Sequence, residues 1–344
     1  MNAAQLNYPH DVRFRVWPFR FHFAVADSVF FPQGKASNVI RGAFGTILRK
    51  LACLPQCAEA KTCDVAHSCP YALLFEPRQE WAQNTGPSGL ADWPRPFVFR
   101  ALHLDGRRFG PGEEFYFDVV LFEPPAKVLP YFVLTFRQLA ESGFGPARGR
   151  ALLTNVEDLA NGQSIFDGSS FLNREIEDLE FSLDPGFHPA DRLTLRFLTP
   201  TELKSGGEIV EIPEFAIVFR RLRDRISNLR AFYQGGPLVI DFEALAKAAE
   251  EIQIVRSSLR QVESERQSSR TGQRHPLGGF VGEVEYQGDL SRFLAYLKVG
   301  EWTGVGRQTV WGKGCFAVTN ESSTRFDSLP LTGSSFDEKM LWAV

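Results

Sequence analysis

The chain has 344 residues, 44% hydrophobic and 23% charged, a length that favours two domains and a composition ordinary for a globular protein. Its net charge of −3 argues against a general nucleic-acid binder, which is basic as a rule, and restricts any such contact to a localised patch. No apolar run reaches the roughly 18 residues of a membrane span. The opening MNAAQLNYPHDVRFR lacks the apolar region of a secretory signal, so a cytoplasmic location is the default expectation.

Residues 13–25 alternate: Phe19, Phe21 and Phe23 share one face and Arg20 and His22 the other, the period of a half-buried strand. Trp17-Pro18 interrupts the register set by Phe14 and Val16, which predicts a bend or bulge. After the turn Pro32-Gln33-Gly34, residues 35–51 read as a helix capped by Ser37 or Asn38, with Ile40, Phe44, Ile47 and Leu48 in its apolar stripe. Four of the five cysteines follow in a loop-like insertion over 52–70: Cys53, Cys57, Cys63 and Cys69. In a reducing compartment such clustering favours metal over disulfides, and thiolates suit a closed tetrahedral zinc site. His67 could replace one ligand, and unligated thiols or an iron–sulfur cluster are the alternatives.

Residues 78–98 read as an irregular loop. Strands are expected over 97–104 and 115–122, a helix over 131–142, a Gly/Arg loop over 143–150 and a strand over 151–156. That order is the ferredoxin-like plan. A break near 184–189 precedes a second round. It has a strand over 193–198, a helix over 215–233, a polar, partly helical insertion over 238–275, a strand over 280–286, a helix over 290–297 and a last strand over 315–318. The expected fold is therefore α+β, two tandem ferredoxin-like (RRM-like) domains, 1–185 and 186–344, the first with the Cys-rich insertion.

The last helix and strand are joined by Gly304-Val305-Gly306-Arg307-Gln308-Thr309-Val310-Trp311-Gly312-Lys313-Gly314. Gly304, Gly306, Gly312 and Gly314 would let backbone N–H groups approach an anion, and Arg307 and Lys313 would add charge. The spacing is not that of a nucleotide-triphosphate loop. A tight glycine turn without a ligand is the alternative. Two Arg-rich segments, one with Arg220, Arg221, Arg223, Arg225 and Arg230, the other with Arg256, Arg260, Arg266, Arg270 and Arg274, are either solvated faces or a track for an RNA backbone.

Taken together, the glycine-rich loop, Gly278-Gly279-Phe280-Val281-Gly282-Glu283-Val284 before it, Leu195–Pro200, the Arg220–Leu229 helix, Ile40-Arg41-Gly42-Ala43-Phe44-Gly45 and Cys69-Pro70-Tyr71-Ala72 resemble the RAMP superfamily of CRISPR-associated proteins, in particular its repeat-processing endoribonucleases. The resemblance implies a protein that binds CRISPR repeat RNA and cuts it without a catalytic metal, by 2′-OH attack to a 2′,3′-cyclic phosphate. It implies neither a DNA nor a membrane partner, and zinc, if bound, would be structural. The chemistry needs a base, an acid and a cation for the phosphate oxygens. The family often carries a histidine in or near the first helix; here residues 35–51 contain none. The substitutes are Lys35, Arg41, His22 and His275, while Gly304, Gly306, Arg307, Gly312, Lys313, Gly314, Arg223, Arg270 and Arg274 are the expected RNA contacts. The remaining histidines, His103 among them, read as turn or surface positions. A non-catalytic RAMP subunit holding guide RNA with other effector subunits, and a zinc-stabilised protein–protein scaffold, are the rival readings.

Overall fold

The computed structural model describes residues 12–54, 57, 63–77, 93–184, 189–267 and 274–319. The first half contains β1 (Arg13–Val25), β2 (Val29–Phe30), α1 (Ala36–Ala52), α2 (Pro70–Phe75), β3 (Phe97–Arg100), β4 (Arg108–Phe109), β5 (Glu114–Leu121), α3 (Leu129–Ser142), β6 (Ala151–Asp158), β7 (Gln163–Phe166) and β8 (Leu179–Ser182). Its main sheet runs β3-β5-β1-β6-β7, with β8 beside the start of β1, and every neighbouring pair is antiparallel. The alternating phenylalanines of β1 and β5 bury one face of this sheet under α1 and α3. Phe44 of α1 stacks on Phe132 of α3 with ring centroids 4.7 Å apart. Much of the phenylalanine excess is spent here, where large rigid rings fill the space between helices and sheet.

The second half contains β9 (Arg192–Thr201), β10 (Lys204–Ser205), β11 (Glu208–Ile209), α4 (Phe215–Tyr233), α5 (Phe242–Glu250), β12 (Gln253–Val262), β13 (Glu265–Gln267), β14 (Arg274–Pro276), β15 (Gly279–Gln287), α6 (Leu294–Thr303) and β16 (Phe316–Thr319). Its sheet runs β12-β15-β9-β16. In both halves the four strands of the strand–helix–strand–strand–helix–strand unit stand in the spatial order fourth, first, third, second, which is the ferredoxin-like arrangement.

β1 departs from its expected form. It passes through Trp17-Pro18 without interruption, and the one irregularity in its pairing with β6 falls between His22 and Phe23. What changes at Trp17 is the face that is buried. Phe14 and Val16 join Val98 and Val120 in the apolar cluster that includes α4, α6 and the second sheet, while Phe19, Phe21 and Phe23 point into the first core. One strand thus serves two cores from opposite faces. Further contacts tie the halves together: Arg230 Nε donates to the Arg13 carbonyl at 2.9 Å and the Tyr233 hydroxyl to that of Pro94 at 2.6 Å.

The polar stretch over 238–275 is also different. Among its described residues only α5 is helical; the rest includes the ten-residue edge strand β12 and the short hairpin β13–β14. β12 has almost no buried positions, so no apolar alternation marks it.

α2 packs on α1 at Gly45, where an added Cβ would overlap the ring of Phe75. Gly45→Ala would gain about 1 kcal/mol of helix propensity. Displacing a buried ring in a packed core costs about 1–3 kcal/mol. The expected result in a denaturant titration is a net loss of stability, whereas Gly42→Ala, with nothing within 4 Å of its Cβ, should be neutral or stabilising.

Candidate functional site at the glycine-rich loop

Residues 304–314 leave the C-terminus of α6, turn through a short 3-10 segment (Thr309–Trp311) and enter β16. Four glycines here, Gly304, Gly306, Gly312 and Gly314, have φ between +67° and +83°. At Gly314 a Cβ would overlap the Val305 carbonyl oxygen, and at Gly312 it would overlap the Ser37 side chain. Glycine is needed because the loop folds tightly on itself and because α1 approaches its backbone closely.

This corrects the expected anion cradle. The Gly304 N–H donates to Gly300 O at 2.8 Å, Gly312 N–H to Thr309 O at 3.0 Å and Gly314 N–H to Pro200 O at 3.1 Å. Arg307 N–H donates to Glu202 O at 3.0 Å. These amides are spent on the fold and cannot also ring a phosphate. Lys313 is only 6% exposed; burial lowers its pKa, and the nearby Asp105 opposes that shift. Arg307 keeps 49% of its side chain exposed while pairing with the buried carboxylate of Glu202. Of the two cations, Arg307 reaches solvent and Lys313 is a structural charge.

The loop seats on the N-terminal turn of α1. The N-cap is Lys35, not Ser37 or Asn38, and no side chain of its own caps the helix. Asp105 Oδ1 accepts the Ala36 N–H at 2.8 Å instead, and Ser37 faces Gly312. Burial raises the pKa of Asp105, against the N–H groups of Ala36, Lys35 and Gly34 and the charge of Lys313. Lys35 itself is exposed. Arg41 is 7% exposed, its guanidinium 4.3 Å from the Phe75 ring centroid and 3.9 Å from that of Trp311. Such stacking suits a planar cation. It makes Arg41 a clamp between α2 and the loop, not a group facing a substrate. Arg100 adds a second tie, its Nη2 donating to the carbonyls of Glu301 and Trp302 at 2.6 and 2.8 Å, at the end of α6.

His22 does not join this cluster. It lies on the sheet face opposite α1, 3.2 Å from Glu157 and with the Tyr116 ring 6.0 Å away. His275 stands on β14 rather than in a loop. His103 is neither a simple turn nor a surface residue: its Nε2 lies 2.8 Å from the Tyr116 carbonyl oxygen, its ring stacks 4.5 Å from Tyr116, and burial lowers its pKa. Trp311 and Asp105 were not singled out in the sequence. Trp311 carried one available signal, a lone large aromatic inside a glycine turn; Asp105 carried none beyond an Asp-Gly pair.

The Arg-rich helix is also corrected. Arg223 is buried, held by Asp224 at 2.8 Å, the Phe242 carbonyl at 3.2 Å and the Phe242 ring at 4.7 Å. Arg221 donates to Lys204 O, Arg225 to Thr303 O at 3.0 Å, and Arg230 to Gly236 O and Pro237 O at 2.7 and 2.9 Å. Burial pulls Arg225 down to about 9. These guanidiniums satisfy loop and helix-end carbonyls between the two sheets, so α4 offers no continuous RNA track. In the second segment Arg256 pairs with Glu285 at 3.1 Å from the edge strand β12; Arg274 lies on β14, and Arg270 lies outside the described residues.

Among the described residues no group of three or more His, Cys, Asp or Glu side chains is set ready around a metal position, and no helix is long and apolar enough to cross a membrane.

Residues 14–178 match an N-terminal domain family, AF_1859_N, and residues 195–316 match the family of the CRISPR-associated endoribonuclease Cas6, a span that ends at the start of β16 and includes the whole glycine-rich loop. An uncharacterized protein of Archaeoglobus fulgidus is 24% identical over 299 residues, covering 84% of this chain and 95% of its own length. A Thermus thermophilus Cas6 in a product complex shares the fold with a TM-score of 0.52 at 16% identity, over 88% of this chain and 99% of that one. A chain of a partial Cas6-RT-Cas1–Cas2 complex gives 0.54 at 11% identity, over 92% of this chain and 47% of that one. The second half is thus similar to the Cas6 family, and the paired ferredoxin-like units share the fold of these solved structures.

Proposed function

We propose that this protein is a metal-independent endoribonuclease that cuts CRISPR precursor RNA within its repeats. The observation that carries the proposal is the glycine-rich loop docked on the first turn of α1, with Lys35 exposed at the N-cap of that helix and Arg307 exposed elsewhere on the loop. An exposed lysine stabilises negative charge beside it, which suits a scissile phosphate and the oxyanion that develops on it. The attacking 2′-OH must lose a proton and the 5′-oxygen must gain one. Imidazole suits both tasks; His22 stands across the sheet from Lys35, which leaves His275 of β14 as the remaining histidine candidate. Arg307 contacts the RNA backbone.

The test is incubation of the purified protein with its cognate repeat RNA in excess EDTA. Cleavage to one 5′-hydroxyl product and one 2′,3′-cyclic phosphate supports the reading. Binding without cleavage supports a guide-RNA-holding RAMP subunit, which the placement of His22 across the sheet from Lys35 favours. Absence of RNA binding removes both. Arg307→Ala should weaken RNA affinity and reduce the slope of log affinity against log salt by about 1, measured by filter binding at several salt concentrations.

A further inference from the structure

Helix α1 begins without a side-chain cap of its own, and the chain that leads into it is held from outside. A row of ties joins residues 29–36 to residues 105–109. β2 pairs with β4 through Val29–Phe109 and Phe30–Arg108. The Phe31 N–H then donates to the Arg107 carbonyl at 3.0 Å, and the Gln33 side chain lies against Gly106. The last tie is the Ala36 N–H on Asp105 Oδ1 at 2.8 Å. The segment that carries Asp105 is itself fixed. Ala101 and Leu104 are buried, and His103 Nε2 lies 2.8 Å from the Tyr116 carbonyl oxygen of β5. Asp105 therefore meets α1 from a rigid support.

The same carboxylate serves the glycine-rich loop. Gly312 packs on the side chain of Ser37, the residue after the capped amide, and sits beside the Phe99 carbonyl of β3. That packing brings Lys313, the next residue, to the turn that Asp105 caps. Lys313 is buried, and a buried ammonium needs a counter-charge. Asp105 is the carboxylate in place to supply it, and each of the two charges acts on the other. Lys35 cannot substitute for either service: its side chain makes no cap bond, and its charge has the wrong sign for Lys313.

We propose that Asp105 is a positioning residue, which locks the first turn of α1 to the glycine-rich loop and thereby sets where Lys35 stands. Its effect on RNA cleavage rests on the endoribonuclease reading above; its hold on the joint does not.

Amide hydrogen exchange of the full chain without RNA, read by mass spectrometry, tests the joint. Asp105→Ala removes both acceptor and charge, so peptides over 36–40 and 304–314 should exchange about fivefold faster or more, the equilibrium factor of one lost cap. Asp105→Asn keeps an oxygen for the Ala36 N–H. Peptides over 36–40 should then stay within about twofold of wild type while 304–314 exchanges faster. Adding Lys313→Met removes the uncompensated cation and should return 304–314 to the wild-type rate. Should Asp105→Ala not fold, the Asn variant and its double with Lys313→Met decide the matter. Wild-type exchange over 304–314 in Asp105→Asn, or faster exchange that Lys313→Met leaves in place, would overturn the proposal. With repeat RNA, Asp105→Asn should slow single-turnover cleavage about tenfold or more, the cost of a misplaced group, at nearly unchanged affinity. Lys313→Met should restore the rate. Equal losses of rate and affinity would mean a loosened fold and overturn the positioning role. A wild-type protein that does not cut removes the endoribonuclease reading, and the exchange experiment then decides the role of Asp105 by itself.

Discussion

Replacing Gly314 with alanine should lower the melting temperature by roughly 4 °C, the shift that about 3 kcal/mol produces when the 344-residue chain unfolds as one unit. Two costs add. The residue has φ +67°, where an L side chain is strained, at about 1–2 kcal/mol. Its Cβ would also overlap the Val305 carbonyl oxygen, a backbone atom that cannot swing aside. The Gly314 N–H to Pro200 O bond and the Val305 N–H to Gly314 O bond, 3.1 and 2.9 Å, lie in the path of any relaxation. The loop would shift off α1, so RNA binding should weaken in the same variant. Differential scanning calorimetry checks the first effect, and a melting temperature within 1 °C of wild type would show that the loop is not the joint described here.

Replacing Lys35 with alanine should slow cleavage of repeat RNA by about 10²-fold, the usual cost of removing one group that stabilises transition-state charge. Affinity for uncleaved RNA should change little, because the charge at issue develops on the phosphate during reaction. Lys35 is exposed and caps α1 through its backbone only, so the substitution should not disturb folding. Lys35→Arg should keep most of the rate. Single-turnover kinetics with saturating enzyme separate the two effects; an unchanged rate with weaker binding would make Lys35 a plain backbone contact.

The tandem ferredoxin-like plan was legible because each core strand and helix buries one face and leaves its period in the sequence. β1 shows the limit of that signal. The shift from Phe14 and Val16 to Phe19, Phe21 and Phe23 looked like a broken register, but it records a strand that buries opposite faces in two cores. β12 left no period because it buries so little on either face. The arginines of α4 were visible as charges, and their role was not. Arg223, Arg225 and Arg230 serve carbonyls that arrive from distant segments, which no local pattern encodes. The glycine-rich loop was recognisable as a candidate site, but its glycines admit other backbone and Ser37. That distinction depends on what packs against them, and the partner, α1, is more than 250 residues away in the chain.

The proposed reaction makes the RNA's own 2′-hydroxyl the nucleophile and needs no catalytic metal. The direct measurement compares the cognate repeat RNA with the same RNA carrying a single 2′-deoxy nucleotide at the cleaved linkage, both in EDTA. Equal binding, cleavage of the unmodified strand and no cleavage of the deoxy strand are the expected result. Cleavage of both strands, or of neither, would contradict it.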